Sequence, residues 1–121
     1  SARTGLPVIF DNLHDRVHTG RTDGPALVLP DVFATWKPAD GVPKLHYSEQ
    51  AEGGRPGAHS DYIHGAAFAE FLAMTPGDAP FDVMLECKQK DRALFRLRDE
   101  LAALGVGDLN CSRSGTTAAP A

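Results

Sequence analysis

Short apolar runs alternate with stretches of helical spacing along most of this chain. The apolar runs cover residues 6–10 and 81–86, and residues 43–48 form a further predicted strand that alternates less cleanly and contains charged residues. Apolar positions at helical spacing follow them over residues 25–36, 65–74 and 91–104. A continuous apolar run of five or six residues is typical of a strand in a parallel sheet, whereas the longer periodic stretches are typical of helices. The pattern therefore predicts three β-strand–α-helix units in succession.

The segments between these elements are predicted to be loops. Residues 15–24 are polar and contain glycine, and residues 50–58 hold Gly53, Gly54 and Gly57 beside a proline. After residue 107 the chain is a Ser/Thr/Ala/Gly tail with too little apolar surface to order itself. We therefore expect an ordered region over residues 1–106 and a disordered tail over residues 107–121.

The strand–helix alternation implies an α/β fold with parallel strands and helical crossovers. Three such units cannot close a (β/α)8 barrel, which needs eight. They also leave two exposed sheet edges, which a free-standing protein usually has to protect. A small three-layer α/β domain is the alternative to a piece of a barrel.

Composition narrows the class of protein without naming a function. Of 121 residues, 42% are hydrophobic and 23% charged, which is ordinary for a globular protein. The formal net charge of −4 argues against broad non-specific binding to nucleic acid but does not exclude a nuclease. The chain has neither a run of about 20 apolar residues nor a secretory signal pattern. Cys87 and Cys111 make a poor case for a disulfide, so we expect a cytoplasmic protein.

Residues able to bind a metal lie at the ends of the predicted strands. They are Asp11 and His14 after the first strand, His46 in the second, His59 after the glycine-rich loop, and Glu86 at the end of the third. Ligands at successive strand ends are how an α/β barrel builds a metal-assisted active site. Mixed carboxylate and imidazole donors favour a transition metal such as manganese or zinc over calcium. The sequence thus predicts one side of a metal-dependent hydrolase site.

Lys44 lies two residues before His46, so the two side chains face the same side of the predicted strand. In a barrel that side is the interior, where a lysine lowers its pKa, pairs with an acid or becomes a carbamylated metal ligand. A lysine that extends to solvent near the strand edge is an equally good explanation. His18 and His64 are predicted to be ordinary surface histidines.

The other candidates also have simpler interpretations. Asp11 could cap a turn, which would leave His14 as a surface residue. Glu86 ends an apolar strand, where a carboxylate is costly unless it is paired or metal-bound, and Lys88 could supply the pairing. No one pair decides between these interpretations, but a ligand-type residue at the end of every strand favours the metal site.

Four motifs in the chain resemble the C-terminal half of the UV-damage endonucleases. They are Val-Ile-Phe-Asp-Asn-Leu-His at 8–14, Pro-Lys-Leu-His-Tyr-Ser at 43–48, His-Ser-Asp-Tyr-Ile at 59–63 and Phe-Asp-Val-Met-Leu-Glu-Cys-Lys at 81–88. The resemblance runs in order from about residue 6 to residue 104. It implies that residues 1–106 form the C-terminal part, about three βα units, of a TIM-type barrel similar to endonuclease IV and xylose isomerase.

The resemblance further implies a DNA repair endonuclease that nicks damaged double-stranded DNA on the 5′ side of ultraviolet photoproducts. By it, Asp11, His14, His46, His59 and Glu86 match ligands of a divalent metal cluster, commonly manganese. Lys44 matches a lysine beside the metals that can be carboxylated, and it is expected to act in catalysis together with Glu86. Metal-activated water would attack the phosphodiester in line.

The family's N-terminal half, with further metal ligands and the residues that probe the lesion, has no counterpart in this sequence. We therefore expect a fragment that binds metal weakly and nicks poorly by itself. Two alternatives remain open at this point. One is a sugar isomerase or epimerase of the xylose-isomerase type, and the other is a half-barrel that has lost catalysis.

Overall fold

The fold alternates strands and helices along the chain, as a computed structural model of the protein shows. The structure describes residues 5–77 and 80–105, and the backbone of two further strands. The elements are β1 (Phe10–Asp11), α1 (Asn12–Thr19), α2 (Gly24–Ala34), β2 (Lys44–Tyr47), α3 (Gly65–Ala73), β3 (Asp82–Leu85), α4 (Lys90–Ala103), β4 (Leu109–Ser112) and β5 (Thr117–Pro120). No helix in these described ranges is both long enough and apolar enough to cross a bilayer.

The sheet has the strand order β1-β2-β3-β5-β4 within the described part of the chain. The first three strands are parallel, with Asp11 opposite His46 and His46 opposite Met84. This parallel arrangement confirms the α/β class that the alternation of apolar runs and helical stretches predicts. Because the strands are parallel, their carboxyl ends meet at one edge, where metal ligands were expected.

The first unit differs from the prediction in two ways. The predicted strand over residues 6–10 is reduced to Phe10–Asp11. Val8 instead forms hydrogen bonds with two side chains that directly follow α2. Its N–H donates to Thr35 Oγ1 (2.9 Å), and its carbonyl accepts from Trp36 Nε1 (2.9 Å). The expected loop over residues 15–24 is wrong for its first half, which belongs to α1.

Helix α1 has a capping residue at its N-terminus and a glycine at its C-terminus. The Asp11 Oδ1 atom accepts a hydrogen bond from the backbone N–H of His14 at 2.9 Å, which caps the first turn. Gly20 ends the helix with a left-handed φ of 73°, and its N–H donates to the carbonyl of Arg16. Leu13 is buried and anchors the helix. The spacing of nine residues between Asp11 and Gly20 was a signal in the sequence for a short helix, although the segment is polar.

The structure also describes the backbone of two strands within residues 107–121, the segment that the sequence predicts to be disordered. The backbone at 109–112 and 117–120 forms β4 and β5, and β5 pairs antiparallel with β3. Without this pairing, β3 would present a row of free N–H and C=O groups at the sheet edge. Composition alone did not indicate these two strands.

The helices cover one face of the sheet and leave the other open. Leu45, Tyr47, Val83 and Leu85 point to the helices and are buried. The core of buried residues also includes Leu29, Ile63, Phe68, Phe71, Phe81, Leu94, Leu97 and Leu101. The alternate positions of β2 and β3 lie on the open face and are polar except for Met84. This open polar face carries the candidate site.

Helices α3 and α4 lie close together at Gly65. A Cβ atom at this position would lie 2.6 Å from the Cβ of Glu100, whose backbone carbonyl carbon is 3.5 Å away. We expect Gly65→Ala to lower the free energy of unfolding by about 1–3 kcal/mol because the two helices must separate. Gly77→Ala is the matched control, since its Cβ would meet nothing within 4 Å. Urea unfolding followed by circular dichroism measures both, and equal midpoints would contradict the expectation.

Candidate metal centre

Three ligand-type side chains converge at the carboxyl ends of the parallel strands. Asp11 ends β1, His46 lies in β2 and Glu86 directly follows β3. One ligand atom from each lies within 4.8 Å of those of the other two, and all three residues are partly buried. His46 Nδ1 is 2.9 Å from Glu86 Oε1. The register of the strands explains this convergence. Asp11 lies opposite His46, and His46 lies opposite Met84. Glu86 is two residues after Met84, so its side chain is on the same face of the sheet.

His59 joins this group through Glu86. Its Nε2 atom lies 3.5 Å from Glu86 Oε2, so the carboxylate of Glu86 has an imidazole near each oxygen. The loop is fixed at this point because the N–H of Lys88 donates to the carbonyl of Ser60 at 3.0 Å. The glycine-rich loop is closed by Gln50, whose side chain donates to the carbonyl of Arg55 and accepts from the N–H of Gly57. The structure thus brings a residue 27 positions away in sequence to Glu86.

His14 lies at the rim of the group, next to Asp11. Its Nδ1 atom is 3.5 Å from Asp11 Oδ2, and 72% of its side chain is exposed. Asp11 meanwhile uses Oδ1 to cap α1. Asp11 can therefore both cap a helix and act as a candidate metal ligand, because one carboxylate oxygen caps α1 while the other faces the His14 imidazole.

Lys44 is on the same sheet face as His46 but does not contact the ligand group. Its Nζ lies 3.9 Å from Asp82 Oδ2, 3.4 Å from the carbonyl of Val42 and 5.3 Å from the centre of the Trp36 ring. Half of its side chain is exposed. Asp82 was not singled out from the sequence, although its position four residues before Glu86 on an alternating strand puts both on one face.

Asn12 is a positioning residue that the sequence analysis missed. Its Nδ2 donates to the carbonyl of Ser48 at 3.0 Å, and its Oδ1 accepts from the N–H of Ser48 at 2.9 Å. These two bonds tie the start of α1 to the end of β2 and so hold Asp11 beside His46. The sequence signal that could have identified Asn12 is its position between the candidate ligands Asp11 and His14.

Glu49 organises a second group of polar side chains just beyond β2. Its carboxylate accepts from Tyr47 Oη at 3.0 Å, from the N–H of His64 and from His64 Nδ1 at 2.5 Å. Burial, and then the charge of Glu49, raise the pKa of Tyr47 far above its usual value, so the phenol stays a proton donor. His64 is exposed, as predicted, but its ring is fixed by this carboxylate and not free.

The donor set at the strand ends fits a divalent transition metal. Asp11 and Glu86 supply carboxylate oxygens, and His46 supplies an imidazole nitrogen. Such mixed donors suit manganese, zinc or iron, whereas calcium prefers oxygen alone. Two carboxylates this close also repel each other, and a cation between them would offset that repulsion. His59 and His14, each near one of these carboxylates, are in place to extend the set.

Comparison with known proteins relates nearly the whole chain to one family. A family model described as UV-endonuclease UvdE matches residues 1–112. The UV DNA damage endonuclease of Bacillus cereus strain G9842 is 36% identical over 103 residues, which are 84% of this chain and 32% of that protein. The protein of the same name from Clostridium perfringens is 38% identical over 102 residues, 84% of this chain and 24% of its own.

A solved structure supports the same relationship at the level of the fold. The protein described as SacUVDE superposes with a TM-score of 0.69 at 35% sequence identity, over 87% of this chain and 34% of the other. The chain therefore spans about a quarter to a third of the length of the relatives it matches. With a match over residues 1–112 and this level of identity, the chain belongs to the UV-endonuclease UvdE family.

Proposed function

We propose that the protein carrying these residues is a metal-dependent DNA repair endonuclease that nicks damaged double-stranded DNA 5′ to ultraviolet photoproducts. The observation that carries this proposal is the convergence of Asp11, His46 and Glu86 within 4.8 Å at the carboxyl ends of adjacent parallel strands. Relatives named UV DNA damage endonuclease support the choice of substrate.

Each ligand-type residue has a distinct proposed role. Asp11, His46 and Glu86 bind a divalent metal, proposed to be Mn²⁺ in a cluster, with His14 and His59 as additional ligands. When bound, the metals lower the pKa of water and neutralise charge that develops on the phosphate. Glu86 is central because both of its oxygens face imidazoles, so its negative charge also fixes the orientation of His46 and His59.

Lys44 is proposed as a catalytic residue that acts next to the metals. It is two residues from His46 on the same strand face, a rise of roughly 6–7 Å that its long side chain can cover. Its ammonium pairs with Asp82 in this structure. Addition of CO₂ to the neutral amine of Lys44, with loss of a proton, would give a carbamate that carries a negative charge, removes the attraction to Asp82 and supplies an oxygen ligand.

We further propose that the three βα units are the C-terminal part of a TIM-type (β/α)8 barrel similar to endonuclease IV and xylose isomerase. The open polar face of the sheet would then be part of the barrel interior. The N-terminal part of the barrel would be the partner of this face and would supply further ligands and the lesion-probing residues. The share of the relatives' length that this chain covers, 24–34%, supports this proposal.

Recognition of the lesion is proposed to depend on the deformability of damaged DNA. A photoproduct weakens stacking at one step, which makes that step less costly to kink or to unstack than normal DNA. Such recognition requires no reading of base sequence. The proposed substrate is therefore damaged duplex DNA of any sequence.

The test is nicking of supercoiled plasmid by the complete gene product with Mn²⁺. We expect conversion of ultraviolet-irradiated plasmid to open circles, loss of that activity in EDTA, and recovery when Mn²⁺ is restored. Unirradiated plasmid is the control. End-mapping on a duplex with one photoproduct should locate the nick on its 5′ side. Equal nicking of irradiated and unirradiated plasmid, or nicking that persists in EDTA, would contradict the proposal. Activity on a ketose substrate without activity on DNA would also contradict it.

A further inference from the structure

A groove of about 350 Å³ lies beside the metal centre and shares His59 with it. Its wall also includes Tyr62, His64, Lys88 and Arg96. None of these four takes part in the ligand group around Glu86. Because His59 contacts Glu86 and also lines the groove, a chain of phosphates that reaches the metal centre can continue into it.

Two basic side chains of this groove, Lys88 and Arg96, form no ion pair within the described part of the chain, although the chain has 16 acidic residues against 12 basic ones. The guanidinium of Arg96 lies 4.6 Å from the centre of the Tyr62 ring, which orients it without neutralising its charge. Unpaired cations next to a site for a phosphodiester indicate an anion subsite.

The backbone around Lys88 is held in a fixed and strained turn. The N–H groups of Lys88 and Gln89 donate to the carbonyls of Ser60 and Asp61, each at 3.0 Å. Lys90 adopts a left-handed φ of 44°, which is unfavourable for a residue with a side chain. Strain of this kind persists where the surroundings impose it and is concentrated at functional sites. The turn thus holds the backbone of Lys88, a residue that lines the groove and lies two positions after Glu86.

We propose that Lys88 and Arg96 bind a backbone phosphate of the DNA strand next to the phosphodiester that is cut. This inference rests on the proposed function and adds a subsite to it. Glu52 and Asp61 also line the groove, so the field of the two cations is partly offset. Each contact should therefore act as an ordinary phosphate contact, which adds affinity and salt dependence without base specificity.

The experiment measures binding of the complete protein to an irradiated duplex as a function of salt concentration. We expect Lys88→Met and Arg96→Met each to weaken binding about 3–10-fold and to reduce the slope of log K against log [salt] by about 0.9. Lys88→Arg should retain the wild-type slope. Lys37→Met, at an exposed lysine before β2, is the matched control and should change nothing.

The possible failures are distinguishable. If the wild type nicks irradiated DNA and both Met variants keep its salt slope, the subsite is refuted and the proposed function stands. An equal loss in Lys37→Met would also refute it, because the effect would then be one of net charge. Failure of the wild type to bind or nick irradiated DNA would overturn both proposals. Bound manganese, measured by mass spectrometry, should stay at the wild-type level in the Met variants.

Discussion

Glu86→Gln should reduce nicking of irradiated DNA by about a hundredfold to a thousandfold, similar to the cost of removing one group that stabilises the charge of a transition state. Glutamine has nearly the same size, so the strand end and its packing are preserved. The substitution removes a negative charge from between two imidazoles, at 2.9 Å from His46 and 3.5 Å from His59. It also replaces one of the two carboxylates in the candidate metal set.

The matched control is Glu70→Gln, at an exposed glutamate on α3 in the helical layer. We expect its nicking rate and manganese content to equal those of the wild type. Manganese titration of Glu86→Gln should show weaker binding, with an unchanged unfolding midpoint or a slightly higher one. A Glu86→Gln protein that nicks at the wild-type rate would refute the metal role of this carboxylate.

Phe68→Ala should lower the free energy of unfolding by about 3–5 kcal/mol, because it leaves a large cavity in a close-packed core. Phe68 is fully buried between α3 and the sheet. Its ring meets Tyr47 edge-on at 4.9 Å and lies 6.2 Å from Phe71. Since a domain of this size is stable by only about 5–15 kcal/mol, such a loss is a large part of the total.

Phe95→Ala is the matched control for this prediction. Phe95 is on α4 and 49% exposed, so its truncation creates no enclosed cavity. We expect a change of about 0.5 kcal/mol or less, typical of surface positions. Urea unfolding of the two variants and the wild type gives the comparison. Equal losses for both would mean that Phe68 is not part of a rigid core.

The Phe68→Ala substitution should also disturb the geometry of the metal centre, because Phe68 packs against Tyr47 next to His46. Tyr47 packs against Phe68 on one face of β2, and the neighbouring residue, His46, points to the other face. A shift of β2 toward the cavity would therefore move His46 relative to Glu86. Displacements of about 1 Å in a catalytic site can cost about a hundredfold in rate.

The long periodic segments could be predicted from the sequence because their signals are local. The leucine stripe over residues 91–104 predicted the helix that the structure has at Lys90–Ala103. The helical spacing of Phe68, Phe71 and Leu72 likewise predicted α3. An apolar run identified β3, and an alternating segment identified β2, each within one or two residues. The choice of Asp11, His46 and Glu86 followed from their positions at the ends of those runs.

Elements that depend on distant partners were not predictable in this way. The segment over residues 6–9 is as apolar as a strand, but contacts with Thr35 and Trp36 take it away from the sheet. The tail is polar, yet its backbone pairs with β3. In each case the deciding hydrogen bond joins residues far apart in sequence.

By itself, the sequence determined the α/β alternation, the parallel strands and the ligand types, because these follow from periodicity and side-chain chemistry. Only the tertiary structure decided which residues meet. It paired Lys44 with Asp82 and away from the ligand group, and it brought His59 to Glu86 across a glycine-rich loop. Such contacts depend on strand register and loop closure, which are set by many weak interactions at once and leave no local pattern in the chain.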